Sequence, residues 1–278
     1  GQSVDCVEAV AKKTSNVKND DWTFWKSVSW DEELRVISYD EESNSLITVE
    51  NGEQDLSAIF KTNLKTGDRR LIYKHDTVDI GSVLVDEEGA VFGTTLMDGY
   101  LSRVFFKGDN KEKDRIKELI SKFPGSMLSI LSLSDDEKKI TFTVSSDINP
   151  GIHYLLDLES GDLMPVGKYW GSIDETKLSY MEPISFNAKD GSTIHGYLTK
   201  SAKGNSRNSP TIVHPHGGPE SRDRWGFSPR VQMLASEGFN VLQINFRGSS
   251  GYGKSHQRFI YGNWDGVLND IFDGMEYL

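Results

Sequence analysis

As far as about residue 170, short apolar runs alternate with charged or glycine-containing turns, and the helical period is scarce. That alternation predicts short strands. Three acidic turns punctuate the stretch: Asp40-Glu41-Glu42-Ser43, Asp86-Glu87-Glu88-Gly89 and Asp135-Asp136-Glu137-Lys138. Starting at 40, 86 and 135, they recur 46 and 49 residues apart. Each lies between two strand-like runs: Arg35–Tyr39 and Leu46–Glu50, Ser82–Val85 and Val91–Leu96, then Leu128–Leu133 and Ile140–Val144. A second signature, Asn63-Leu64-Lys65-Thr66-Gly67-Asp68, returns 94 residues later as Asp157-Leu158-Glu159-Ser160-Gly161-Asp162, with a shorter form at Lys107-Gly108-Asp109. The unit reads strand, acidic turn, strand, loop, strand, Gly-Asp turn, strand. Four antiparallel strands per roughly 40–50 residues predicts a β-propeller blade; an antiparallel sandwich with similar turns would share the pattern. About three blades fit between Trp30 and Tyr169, and Trp22, Phe24 and Trp25 are candidates for part of another. Too few blades to close a ring would leave sheet edges unpaired, so further blades are expected before Gly1.

Beyond residue 172 the pattern changes. Ile184–Ala188 and Thr193–Leu198 flank Asp190-Gly191, a pair suited to a tight hairpin turn. A polar surface loop is predicted over 201–209, then a short strand over 210–214. A helix follows, with Ser228 as N-cap, Pro229 at its first position, Gly238 just past its end, and Val231, Leu234 and Ala235 on one face. Phe239–Phe246 reads as another strand, so strand, helix and strand predict a parallel pair. A last helix is predicted over Trp264–Leu278, with Val267, Leu268, Ile271, Phe272, Met275 and Leu278 as its apolar stripe. The predicted domains are therefore 1–172, a partial β-propeller of antiparallel four-stranded blades, and 173–278, the start of an α/β domain. One hairpin and one parallel pair make a small sheet, so more chain is expected after Leu278.

Composition narrows the chemistry. Among 278 residues, 31 Lys and Arg face 42 Asp and Glu, a net charge of −11. An acidic chain without a basic stripe argues against nucleic acid or an anionic membrane as partner. A single cysteine, Cys6, excludes an internal disulfide framework and a Cys-rich zinc site. No apolar run is long enough to span a bilayer, and the first residues lack the pattern of a signal peptide. The compartment, cytoplasmic or exported, stays open, as does oligomeric state.

His214-Pro215-His216-Gly217-Gly218-Pro219 ends the first predicted parallel strand. Adjacent glycines let backbone N–H groups face a ligand with no Cβ in the way. A plain Gly-Gly turn would look the same; the place at a strand end, after a hairpin and before a capped helix, favours a chemical role. With Trp225-Gly226-Phe227, Ala235-Ser236-Glu237-Gly238-Phe239 and Asn245-Phe246-Arg247-Gly248-Ser249-Ser250-Gly251-Tyr252-Gly253, this loop resembles the prolyl oligopeptidase family of serine peptidases, in its acylaminoacyl-peptidase-like branch. The strong match covers about 181–278. The resemblance implies a β-propeller that restricts access to an α/β-hydrolase domain, with peptides and small acylated compounds as substrates. It implies that the Gly218 N–H is an oxyanion donor, that Gly217 shapes the loop and that His216 and Pro219 hold it.

The family's nucleophile stands in a Gly-x-Ser-x-Gly elbow followed by Asp and His. Ser249 has Arg247 where that pattern needs glycine, and Ser250 has Tyr252. Both lie in the family's Arg-Gly-Ser loop, which is not the nucleophile site, and Arg247 is expected to form an ion pair there. None of His75, His153, His195 and His256 pairs with an elbow serine. His214 and His216 lack a third ligand, so no metal is expected; the glycines of 248–253 fit no nucleotide-binding pattern, so no cofactor is expected. The reading is a serine peptidase acting through an acyl-enzyme, of which this chain carries the oxyanion loop but not the triad. Alone it is expected to be inactive. Its expected partners are a peptide substrate and the remainder of its own polypeptide. An esterase on the same fold, or a non-catalytic propeller module with a degenerate hydrolase domain, are the alternatives.

Overall fold

The computed structural model describes residues 7–10, 24–29, 31–204 and 208–278. Readings that fell on Cys6, Trp22, Trp30 and 205–207 lie outside them. The chain forms two compact units, one of Gly1–Leu96, Arg103–Lys107 and Ser250–Arg258, the other of Met97–Ser102, Gly108–Ser249 and Phe259–Leu278.

In the first unit, strands β1 (Val7–Val10) and β2 (Phe24–Val28) pair antiparallel. Strands β3 (Leu34–Asp40), β4 (Ser45–Glu50), β5 (Ala58–Asn63) and β6 (Arg69–Lys74) form an antiparallel meander in chain order. β4 is buried along its whole length, as a central strand requires. Ile47, Val49, Ile59, Val78, Ile80, Leu96 and Tyr252 make the core. Strands β7 (Val83–Val85), β8 (Val91–Asp98) and β9 (Tyr100–Phe105) form a second meander, of which residues Met97–Ser102 are assigned to the other unit.

The acidic turns are what join the first two strands of each meander. Each contains or directly precedes a residue with left-handed φ: Asn44 at 48°, Gly89 at 82° and Glu137 at 53°. The second signature repeats bond for bond. Asn63 Oδ1 accepts from the N–H groups of Lys65 and Thr66, and Asp157 Oδ1 from those of Glu159 and Ser160. The Gly67 N–H donates to the Asn63 carbonyl, and the Gly161 N–H to that of Asp157, both at 2.9 Å. Thr66 and Ser160 hydroxyls donate to Asp68 and Asp162, both at 2.8 Å. The sequence repeat is thus a repeat of one turn geometry.

The middle unit departs from the predicted four strands. After Lys107-Gly108-Asp109 the chain enters helix α1 (Lys111–Lys122) rather than a fourth strand. Asn110 caps it by accepting from the Lys113 N–H, Glu112 and Asp114 occupy its first turn, and Ile116 and Leu119 are buried. The cap residue and the spacing of Ile116, Leu119 and Ile120 outweigh the strand signal of the repeat.

The second unit holds the meander β10 (Met127–Leu133), β11 (Lys139–Ser145), β12 (Ile152–Asp157) and β13 (Leu163–Lys168), with Leu128, Ile140, Phe142, Val144 and Leu156 buried. It also holds a mixed sheet of β14 (Met181–Asn187), β15 (Thr193–Thr199), β16 (Thr211–Val213) and β17 (Asn240–Asn245), in the order β14-β15-β17-β16. β16 and β17 run parallel, linked through helix α2 (Pro229–Ser236), capped by Ser228 as predicted. The predicted hairpin closes the other edge, β15 pairing antiparallel with both β14 and β17. A short helix, α3 (Lys254–Arg258), assigned to the first unit, precedes α4 (Trp264–Tyr277) of the second.

The stripe predicted for α4 is corrected. Val267 is buried and Ile271 packs against the sheet core, but Leu268, Phe272, Met275 and Leu278 are about half exposed. The buried face runs instead through Val267, Asp270, Asp273 and Gly274. Buried carboxylates with cationic and backbone partners hold this face, which an apolar periodicity does not register: Asp270 with Arg247, Asp273 with Lys189.

Candidate functional site

The Gly-Gly loop leaves the C-terminal end of β16, where the His214 N–H continues the ladder by donating to the Leu242 carbonyl at 2.8 Å. The Ser221 N–H donates to the Pro219 carbonyl at 2.8 Å. Asn245, at the end of β17, accepts from the Asp223 N–H at 2.7 Å and donates to its carbonyl at 3.1 Å. The Trp225 indole N–H reaches the Met181 carbonyl, and Arg222 the Met97 carbonyl, both at 3.1 Å. These bonds fix both ends of the loop and leave its tip exposed.

Gly217 and Gly218 form that tip. Gly218 has φ of 138°, and a Cβ there would lie 2.9 Å from the Glu220 nitrogen and 3.0 Å from that of Ser221. Both the backbone conformation and the space therefore demand glycine. Among the described residues no acceptor takes the Gly218 N–H.

His216 stacks on Phe246, with centroids 4.6 Å apart and planes at 17°. Its Nδ1 lies 3.0 Å from the Gly217 carbonyl oxygen and its Nε2 2.8 Å from Ser249 Oγ. A histidine against a serine suggests a nucleophile and base, but Ser249 has 0% exposure, and its Oγ also lies 2.7 Å from the Phe246 carbonyl. No substrate carbonyl reaches a serine so enclosed. His214 Nδ1 is buried without a partner among the described residues, and its Nε2 lies 3.5 Å from Arg230.

Asp223 was not singled out by the sequence. Burial pushes its carboxyl above the usual range, opposed by the Gln243 amide donating to Oδ1 at 2.7 Å and by the charges of His216, His214 and Arg224. Its Oδ2 has no partner among the described residues. Spacing gives no hint of this: the contacts to Gln243 and Asn245 span about twenty residues and depend on β17 being in place.

Arg247 forms the expected ion pair. Its Nη2 lies 2.6 Å from Asp270 Oδ1 and its Nη1 2.6 Å from Asp190 Oδ2, while the Ser192 hydroxyl accepts at 3.0 Å. The two carboxylates raise the guanidinium's pKa, and Asp190 is lowered by the Ser192 N–H and by Arg247. The remaining histidines lie apart. His75 Nδ1 faces the Thr77 and Val78 N–H groups in an exposed turn, and His153 Nδ1 lies 2.8 Å from Thr143 Oγ1 in β12. His195 in β15 is lowered by burial; His256, in α3, lies 5.2 Å from the Tyr252 ring. No cluster of three metal-ligating residues occurs among the described residues, and no helix of the described residues is long and apolar enough to cross a membrane.

Residues 225–278 match the model of the prolyl oligopeptidase family, Peptidase S9. The chain is 25% identical over 244 residues to dipeptidyl aminopeptidase BIII of Pseudoxanthomonas mexicana, covering 85% of this chain and 35% of the relative. It is 25% identical over 282 residues to dipeptidyl peptidase family member 6 of Caenorhabditis elegans, covering 90% and 38%. It therefore spans little more than a third of the length of these relatives. In fold it is similar to a chain from a study of two prolyl endopeptidases (TM-score 0.66, 15% identity, 94% of this chain and 38% of that one). It is likewise similar to the acylaminoacyl peptidase of Pyrococcus horikoshii (TM-score 0.59, 20% identity, 92% and 39%). The resemblance read from the sequence thus stands as a similarity to the prolyl oligopeptidase family, whose model residues 225–278 match.

Proposed function

We propose that this chain is the part of a serine peptidase that carries the oxyanion loop, joining propeller blades in 1–172 to the first part of an α/β-hydrolase domain in 173–278. That division follows sheet type, meanders before it and a mixed sheet after, and differs from the two compact units. The observation that carries the reading is the Gly218 N–H: on an exposed residue, without an acceptor among the described residues, on a backbone that favours glycine, in the loop that leaves the C-terminal end of a parallel strand. Ligand sites of open α/β sheets gather at that end of the strands. A donor held there stabilises the negative oxygen that forms when a nucleophile attacks a carbonyl. Gly217 supplies the second small residue of the loop, and His216 and Pro219 hold it.

The relatives' names, dipeptidyl and acylaminoacyl peptidases, favour peptide or acyl-amide bonds of oligopeptides as substrates. The nucleophile, base and orienting acid would come from the remainder of the polypeptide, so the 278-residue chain by itself has no hydrolytic activity. A fluorophosphonate probe tests both halves. The longer polypeptide is expected to be labelled at an elbow serine, and the chain alone to stay unlabelled. Labelling of the isolated chain, or none of the longer polypeptide, would contradict the proposal; the second result would leave a non-catalytic module.

A further inference from the structure

We infer that the buried pair Ser249–His216 sets the orientation of the Gly217–Gly218 peptide, making Ser249 a positioning residue for the Gly218 N–H; its catalytic meaning rests on the oxyanion reading above. A carbonyl oxygen only accepts hydrogen bonds, so His216 Nδ1, 3.0 Å from the Gly217 oxygen, carries a hydrogen. His216 Nε2 lies 2.8 Å from Ser249 Oγ, which also lies 2.7 Å from the Phe246 carbonyl. When the imidazole is neutral, Nε2 accepts the serine hydroxyl hydrogen. The Phe246 carbonyl keeps the Ser249 N–H at 2.9 Å. When the imidazole is charged, Nε2–H donates to Oγ and the hydroxyl turns to Phe246. Both arrangements keep the hydrogen on Nδ1; only the charged one keeps the hydroxyl donating to the Phe246 carbonyl, and in the neutral one those two oxygens, 2.7 Å apart, have to ease apart. Ser249 is fully buried, so water does not compete for it.

The Gly217 carbonyl and the Gly218 N–H belong to one peptide plane, and this peptide is trans. Holding the oxygen therefore aims the N–H in the opposite direction. On the Gly217 side packing does not do this, since a Cβ added there would meet nothing within 4 Å, although Gly218 sits close to the Glu220 and Ser221 nitrogens. The hydrogen bond from His216 is what stops this peptide from turning over, and Ser249 with the Phe246 ring is what holds His216. The serine of the Arg247-Gly248-Ser249 loop, unsuited to attack, thus has a task that explains its burial.

The test uses nitrogen-15 resonances of the histidine rings in the 278-residue chain. Neutral His216 is expected as the Nδ1–H tautomer, with Nε2 unprotonated. Ser249→Ala is expected to shift His216 toward a mixture of tautomers and to move the Gly218 amide cross-peak, with other amides in place; Ser249→Thr, which keeps the hydroxyl, is expected to restore both. An Nε2–H tautomer in the unaltered chain, which needs no variant to fold, would overturn the inference, as would unmoved His216 and Gly218 signals in Ser249→Ala. In the longer polypeptide Ser249→Ala should lower kcat about 10-fold, less than the loss of a whole donor, with KM within about twofold. Unchanged kcat would overturn the positioning role. A longer polypeptide with no hydrolase activity would instead remove the oxyanion reading, while the tautomer would still decide the Ser249–His216–Gly217 strut.

Discussion

At Gly218 a single backbone N–H carries the functional reading, and its substitution is the sharpest chemical probe. Gly218→Ala forces a side chain into a left-handed conformation and against the Glu220 and Ser221 nitrogens. In the longer polypeptide it should lower kcat by about 10²–10³, the usual cost of one oxyanion donor, with a smaller change in KM. Steady-state kinetics on a chromogenic peptide substrate checks it. Arg247 offers a stability counterpart: Asp270 is wholly buried against it. Arg247→Ala strands that carboxylate and should cost about 3–5 kcal/mol in urea unfolding. Asp40 works in the other direction of pH. Its hydrogen bond from Lys61, then those from the Ser43 backbone and side chain, hold its carboxyl at about 2. A depressed carboxylate stabilises the fold above its unfolded value, near 4, and that contribution fades as pH falls through about 2. The stability gap between the unaltered chain and Asp40→Asn should therefore narrow on acidification from pH ~5 to ~2, and stay modest because the pair is near the surface. The loop at 216–219 and the Arg247 ion pair were legible in the sequence because local residue types carry them. Asp223 and Asn245 were not, because their roles arise only when β17 lies beside the loop.

Among the elements, strands were legible wherever turn chemistry marked their ends. Asn63–Asp68 and Asp157–Asp162 make the same hydrogen bonds because both sequences place a side-chain acceptor first and glycine fifth. α1 was hidden by the expectation of a fourth strand, although Asn110 and the Ile116–Leu119–Ile120 spacing announce it. The α4 stripe was misjudged because its buried face includes two carboxylates. Gly196 in β15 gives a direct test of the mixed sheet: a Cβ there would overlap the Gln243 carbonyl oxygen of β17. Gly196→Ala should cost about 1–3 kcal/mol, the range of overpacking, although alanine is otherwise the milder residue in a strand. Equal midpoints in urea would show that β15 and β17 are farther apart than described.

For the whole molecule, exposed apolar edges matter most. β13 is exposed along its full length, with Met164 and Val166 more than half exposed, and α4 presents Leu268, Phe272 and Met275. Open strand edges and apolar faces promote association. The 278-residue chain should self-associate with concentration in sedimentation velocity, and Val166→Lys should shift it toward monomer. A monomer at all concentrations would contradict this. The central claim concerns the oxygen that the loop is built to meet, and a crystal structure of the longer polypeptide with a covalently bound boronate tests it most directly. The account predicts the Gly218 nitrogen about 2.7–3.1 Å from the anionic oxygen, with the Gly217 carbonyl turned to His216. An oxygen held by other donors, with the Gly218 N–H turned away, would contradict it.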